Sequence, residues 1–298
     1  MFSRTRRPSN PLFGLYFSPE TRQALAGRTM ILGFGAQKAG SSWLFNRLAR
    51  SPEICAAPIK EWHFFDCWLR PDLTPDVARI MRAQEQTARL RRPDGRRAEA
   101  HAARLAALKR PEAYLDHFAA KIRGRKAMLD ISPEYALLDG ADLGVVTAYF
   151  AAAGVRVRPV FIMRDPVDRL FSYARALAKA RRADPVRTFE KALKDPLAMA
   201  RSRYETTLGA LWATFPKEDV TVAFYEDLAG NEAALAALAG RLDLAPPPAA
   251  PARRVNPSPA ATLPARSASA ARARLGETYA FVAKEFGAAV PAGWRRDG

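Results

Sequence analysis

An α/β fold, with one domain built on a central parallel sheet flanked by helices, is what this sequence predicts, and three features point to it. Short apolar runs of buried-strand type alternate with stretches of helical periodicity along most of the chain. The first such run leads through a glycine-containing loop straight into a helical pattern. The composition, 49% hydrophobic and 26% charged over 298 residues, is that of a folded soluble protein with a sizeable core, well away from the signature of disorder.

The elements follow in order. Residues 1–27, rich in Arg, Pro and Ser, read as a basic N-terminal arm, and the main domain is expected over 28–298. Thr29 to Phe34 is the first strand, and the loop from Gly35 opens a helix marked by Trp43, Leu44 and Leu48. Residues 79–126 break the alternation with many arginines and two candidate helices around the turn Arg91-Arg-Pro-Asp-Gly-Arg-Arg, so they read as a helical insert. Ala127 to Ile131 and Val155 to Met163 are strands, with helices over Leu143 to Ala153 and Val167 to Ala180. Tyr204 to Phe215 reads as a helix, Val220 to Tyr225 as a strand and Glu232 to Leu242 as a helix. Residues 245–266, rich in Pro, Ala and Ser, are too long for an ordinary connection and read as a loop or lid, followed by a last helix over Ala270 to Phe286.

Several classes are set aside by composition. No run approaches the roughly 18 apolar residues of a membrane span, and the N-terminus lacks a secretory h-region, so neither is expected; peripheral membrane contact stays open. Cys55 and Cys67 form neither a disulfide framework nor a metal-binding cluster, which favours a reducing, cytoplasmic setting. The net charge of +17 favours an anionic partner, although an arginine- and alanine-rich composition is also what a GC-rich genome produces. Composition leaves the oligomeric state open.

Two segments carry chemistry. In Gly35-Ala-Gln-Lys38-Ala39-Gly40-Ser41-Ser42-Trp43, a glycine loop between a buried strand and a helix offers backbone N–H groups and a positive helix end to a phosphate or sulfate. Its glycines have the P-loop spacing, but Ser41 stands where nucleoside triphosphatases need lysine, and Lys38 lies inside the loop instead. In Val160-Phe-Ile-Met-Arg164-Asp-Pro166-Val-Asp-Arg169-Leu-Phe-Ser172, a strand ends at Arg164 and Pro166 starts a helix. Arg164 then faces the crevice at the strand ends, where Ser172 is expected to meet the same phosphate from another side; a structural ion pair with a helix cap is the plainer meaning of Arg-Asp-Pro.

With both segments in hand, the sequence resembles the sulfotransferases that use 3′-phosphoadenosine 5′-phosphosulfate (PAPS). Lys38-Ala-Gly40-Ser41-Ser42-Trp43-Leu44 is similar to the loop that holds the 5′-phosphosulfate, and Arg164-Asp-Pro166 through Ser172 to the segment that holds the 3′-phosphate. Lys60-Glu61-Trp62-His63-Phe64-Phe65-Asp66 resembles a segment of the heparan-type glycan sulfotransferases and their bacterial relatives, in which the glutamate is the expected base. Asp130-Ile-Ser132-Pro-Glu-Tyr135 is similar to a turn bordering the acceptor cleft.

The resemblance spans about residues 28–242 and implies a P-loop-like sulfotransferase fold. It implies sulfuryl transfer from PAPS to an acceptor hydroxyl or amine on a glycan, lipid or small metabolite, with adenosine 3′,5′-bisphosphate as product and no metal. Glu61, Lys38 and His63 are the expected catalytic residues, and Lys60, Ser132 and Tyr135 the expected acceptor contacts. Lys38, Ala39, Gly40, Ser41, Ser42, Trp43, Arg164 and Ser172 are expected on the donor, with Arg253 or, preferentially, Arg254 completing the 3′-phosphate site. On the plain reading, Trp62, Phe64 and Phe65 are core aromatics and Glu61 pairs with Lys60. The basic insert favours an anionic or extended acceptor, and no specific nucleic acid is expected. Two alternatives remain: a P-loop kinase or NTPase with an altered loop, and a basic nucleic-acid-binding protein whose loop is only structural.

Overall fold

Five parallel strands make one sheet in the order β2-β3-β1-β4-β5, with β1 at Thr29–Gly33, β2 at Ile54–Ala56, β3 at Ala127–Ile131, β4 at Arg156–Met163 and β5 at Thr221–Phe224. This computed structural model describes residues 11–74, 77–91, 95–249 and 261–295. The central position of β1 follows from its residues, since Met30, Ile31 and Leu32 are fully buried and can only sit between two covered faces. The chain runs from β1 to β2 and β3 on one side and then crosses to β4 and β5 on the other. The C-terminal end of β1 is therefore the switch point of the sheet, where open α/β folds form their ligand crevice.

Helices cover both faces, and their ends obey local chemistry. Pro166–Arg181 begins with proline at its first turn and is capped by Asp165, whose Oδ1 accepts from the Val167 and Asp168 amides at 3.0 Å. Ser41–Leu48 begins differently: Gly40 occupies the cap in a left-handed conformation (φ 86°), and no side chain caps the first amides.

The strands of the sequence reading match to within a residue or two, and the departures have simple causes. β2 was not anticipated, because three residues carry too little periodicity to register. The insert holds three helices rather than two, Val77–Arg91, Arg96–Lys109 and Glu112–Ala119; Pro111 separates the last two. The single last helix is instead a pair, Ala265–Arg274 and Gly276–Phe286, broken at Leu275 (φ −105°, ψ 14°). Within the expected N-terminal arm, Pro19–Leu25 is a helix whose Leu25 is fully buried, so part of that arm packs on the core. No helix among the described residues is long and apolar enough to cross a membrane.

Candidate active site

The loop after β1 keeps the company of β4. The Phe34 amide donates to the Val160 carbonyl at 2.9 Å and the Ile162 amide to the Gly35 carbonyl at 2.8 Å, which carries the loop out over the end of the sheet. Lys38 there takes a left-handed backbone (φ 69°), a costly conformation for a side chain with a Cβ and one that clusters at functional sites. Ala39 and Ser41 are buried, whereas Lys38, Ser42 and Trp43 are half-buried, so Ala39 can offer only its backbone. At the end of β4, the Arg164 guanidinium donates to the Lys38 carbonyl at 3.3 Å and lies over the Tyr225 ring, 5.2 Å from its centroid.

These groups share one chemistry. Lys38, Arg164, the uncapped amides of Ser41–Leu48 and the hydroxyls of Ser41 and Ser42 are all donors or cations. Among the described residues no carboxylate lies within ion-pair distance of Arg164. Such a donor set fits a phosphosulfate. Burial pushes the Lys38 ammonium below its usual pKa, Glu61 opposes the shift, and Arg164, Arg175 and Lys60 add to it.

The segment from Ala57 to His63 runs along β3 on the other side of β1. The Ala57 amide donates to the Leu129 carbonyl at 2.8 Å and the Glu61 amide to the Ile131 carbonyl at 3.3 Å. Side chains then alternate: Trp62 and Phe64 are buried with Phe65, while Glu61 and His63 stay partly accessible and both take left-handed backbone (φ 62° and 57°). Trp62 packs on Tyr114, His117 and Phe118 of the insert. The aromatics of the motif are thus core residues, as the plain reading had them, and they fix the two polar residues between them at the crevice.

Around Glu61 the charges are matched. Lys60 Nζ hydrogen-bonds Glu61 Oε1, His63 Nε2 lies 3.9 Å from Glu61 Oε2, and His63 Nδ1 is 2.8 Å from Asp66 Oδ2. Burial pushes the Glu61 carboxyl up, but Lys60, His63 and Lys38 outweigh it and hold the pKa below the ordinary 4.5. Burial likewise lowers His63, yet Asp66 and Glu61 win and raise it above the ordinary 6.5. The structure therefore brings Glu61, Lys60, His63 and Lys38 into one electrostatic cluster across the end of β1.

The other expected residues lie as follows. Ser132 and Tyr135 are fully buried, and neither is among the residues that line the cavity above Glu61. Their hydroxyls donate to Asp130 and accept from the His63 and Phe64 amides, which makes them the support of the Glu61 loop. Ser172 is 6% exposed on its helix. Arg253 and Arg254 lie outside the described residues.

Sequence reasoning missed Asp66, although its spacing of three from His63 was a usable signal. It also missed Tyr225, Gln37, Glu134 and Arg201. Gln37 of the loop donates to Glu134 Oε1 at 2.9 Å, and Arg201 holds the other oxygen at 2.7 Å. Nothing local marks those three as partners.

Above Glu61 opens a cavity of about 670 Å³ between the Pro58–His63 segment and the first two insert helices. Ile59, Ile80 and Met81 give it an apolar wall, and Arg97, His101 and Arg104 a basic one.

The parallel α/β fold with two loops meeting at the end of its central strand is the class of architecture seen here, and comparison with known proteins makes it specific. The model of the sulfotransferase family matches residues 31–245, and the chain belongs to that family. Its fold is shared by a sulfotransferase from Alicyclobacillus acidocaldarius, at 19% identity and TM-score 0.63, over 90% of this chain and 99% of that one. The sulfotransferase domain of the Synechococcus PCC 7002 olefin synthase is more distant, at 17% identity and TM-score 0.47, covering 74% of each chain. Comparison with curated protein sequences returned no match. Family membership selects sulfuryl transfer over the kinase and nucleic-acid-binding alternatives.

Proposed function

We propose that this sulfotransferase takes its sulfuryl group from PAPS and delivers it to an acceptor hydroxyl or amine, with Glu61 as general base. The observation that carries this reading is the meeting of two unlike clusters at the end of β1. On the β4 side, Lys38 and Arg164 form a cationic, donor-rich cradle; on the β3 side, the carboxylate of Glu61 faces a cavity large enough for a small acceptor. Bound PAPS would supply an activated sulfuryl group whose S–O bond to the phosphate breaks as a bond to the acceptor oxygen or nitrogen forms.

The chain's residues divide the remaining work. Glu61 accepts the acceptor's proton, and its low pKa keeps it ionised for that task at neutral pH. Lys38 neutralises the charge that develops on the departing phosphate oxygen, the compensation that Mg²⁺ gives in NTPases, so the reading calls for no divalent ion. The loop amides with Ser41 and Ser42 hold the 5′-phosphate, and Arg164 with Ser172 the 3′-phosphate. His63, whose pKa Asp66 and Glu61 raise against the effect of burial, orients the base and, when protonated, offers a positive charge to the sulfuryl oxygens. Both cysteines are free thiols, which supports a cytoplasmic setting.

Calorimetric titration with adenosine 3′,5′-bisphosphate in EDTA, beside Mg·ATP, tests the donor. Binding of the bisphosphate that weakens about 10- to 100-fold in Arg164→Ala is expected, the loss of one charge-assisted contact. Preference for Mg·ATP would overturn the reading.

A further inference from the structure

Arg104 and His101, on the Arg96–Lys109 helix, form a buried pair that nothing in the chemistry above uses. Arg104 is 3% exposed, yet each partner of its guanidinium is neutral. Nη2 donates to Gln84 Oε1 at 2.8 Å and lies 3.1 Å from His101 Nδ1, and Nη1 lies 3.4 Å from the Glu61 carbonyl oxygen. Among the described residues no carboxylate lies within ion-pair distance. The contrast with Arg47 is direct: that residue is 5% exposed, and Glu232 grips both of its terminal nitrogens at 2.5 and 2.6 Å. A buried guanidinium without an ion-pair partner is destabilising, and an anion arriving beside it relieves that cost.

The histidine adds a second orphan. A guanidinium can only donate, so His101 Nδ1 must accept and the ring proton sits on Nε2. His101 Nε2 and Arg104 Nε are both buried without a hydrogen-bond partner. Two unmet donors and a guanidinium that Glu61 and Asp66 attract only from beyond ion-pair distance thus belong to residues one helical turn apart, and both line the cavity that opens above Glu61. Ile59, Ile80 and Met81 add apolar lining to the same cavity, and Ile80 is 48% exposed.

We propose that Arg104 and His101 are the anion-recognition site for the acceptor, which is an amphiphilic molecule carrying a carboxylate or similar anion on an apolar body, its hydroxyl or amine at Glu61. The proposal rests on the sulfuryl-transfer reading for the acceptor's role, though not for the anion site itself. Because Arg104 touches the backbone of Glu61, the anion and the reacting group lie within a side chain's length of each other, as they would in a compact molecule or the end of a longer one.

The test is a binding titration that needs no turnover. Hydroxyaryl and ω-hydroxyalkyl carboxylates of about four to ten carbons, each beside its methyl ester, are titrated onto the full chain with and without adenosine 3′,5′-bisphosphate. At least one carboxylate is expected to bind about tenfold more tightly than its ester, and Arg104→Gln to reduce that ratio to near one without changing bisphosphate affinity. The same variant is expected to keep or raise the thermal midpoint, because it removes an unpaired buried charge. His101→Phe reads the ratio independently should Arg104→Gln fold poorly. No carboxylate preferred over its ester, a ratio that survives both substitutions, or equal weakening of acid and ester would each overturn the proposal. A carboxylate preference that depends on Arg104, in a protein that binds no bisphosphate, would uphold the anion site and overturn the PAPS reading instead.

Discussion

The two sides of the central strand are built on opposite electrostatic plans. On the β4 side, Lys38 and Arg164 sit with backbone carbonyls, an aromatic ring and uncapped helix amides, and their charge is left for an incoming anion. On the β3 side, Lys60, Glu61, His63 and Asp66 satisfy one another in a chain of alternating charge. The difference suits the two roles proposed for them. A site that receives a polyanion keeps its cations open, whereas a site that moves one proton keeps its groups paired so that their protonation states are fixed before the acceptor arrives.

The comparison breaks most decisively at Glu61. Glu61→Gln keeps the shape and the loop but cannot take a proton, so kcat for sulfate transfer should fall about 10²- to 10⁴-fold. Bisphosphate affinity should stay within about threefold of the parent, because the donor cradle lies across β1. Radiolabelled sulfate transfer and calorimetry on the same preparation read both. A comparable loss of bisphosphate binding would show that the two sides are one site and not two.

Gly40 tests the other side with a smaller expected effect. Its left-handed backbone opposes any Cβ, and a Cβ there would stand 2.6 Å from Tyr225 Cδ2, against the ring on which Arg164 lies. Gly40→Ala should cost about 1–2 kcal/mol of stability. It should also weaken the bisphosphate about tenfold by displacing that ring and Arg164, while leaving the anion preference of the acceptor cavity intact. Adding Tyr225→Leu should recover part of the stability but not the affinity.

That contrast also explains how much could be read without coordinates. On the proposed donor side, the loop was legible because one stretch of chain makes it: strand, glycine loop and helix are contiguous, whereas Arg164 reaches it from the end of β4, 126 residues away. The fold was legible for the same reason, since a strand such as Thr29–Gly33 carries a short apolar run, Met30-Ile31-Leu32, that is buried throughout. On the other side, only Glu61 and His63, which sit inside a motif, could be singled out from the sequence. Arg104 is one arginine among many in the insert, and only tertiary packing shows that it lacks a counter-charge. Ser132 and Tyr135 show the limit of a motif, which reports that residues matter without saying whether they touch a ligand or, as their bonds to the His63 and Phe64 amides do, hold the loop beside it.

The finest distinction between the two sides lies in how a single charge, Lys60, acts on each. On Glu61 it is an attractive partner that offsets burial and helps hold the carboxyl below 4.5; on Lys38 it is one of the like charges that add to burial in lowering the ammonium. In the proposed mechanism, transfer needs Glu61 ionised, so activity is lost as pH falls through its pKa, and it needs Lys38 protonated, so activity is lost again as pH rises through that of the ammonium. Lys60→Met removes the attraction and the repulsion together. Both pKa values then rise, and both limbs of the kcat/KM profile should move to higher pH, with little change at the plateau. An acid limb that stays in place while the alkaline limb moves would remove Glu61 from the role of base and leave Lys38 in its own. If the acid limb alone moved, the proton step would stay at Glu61 and the alkaline limb would belong to another group.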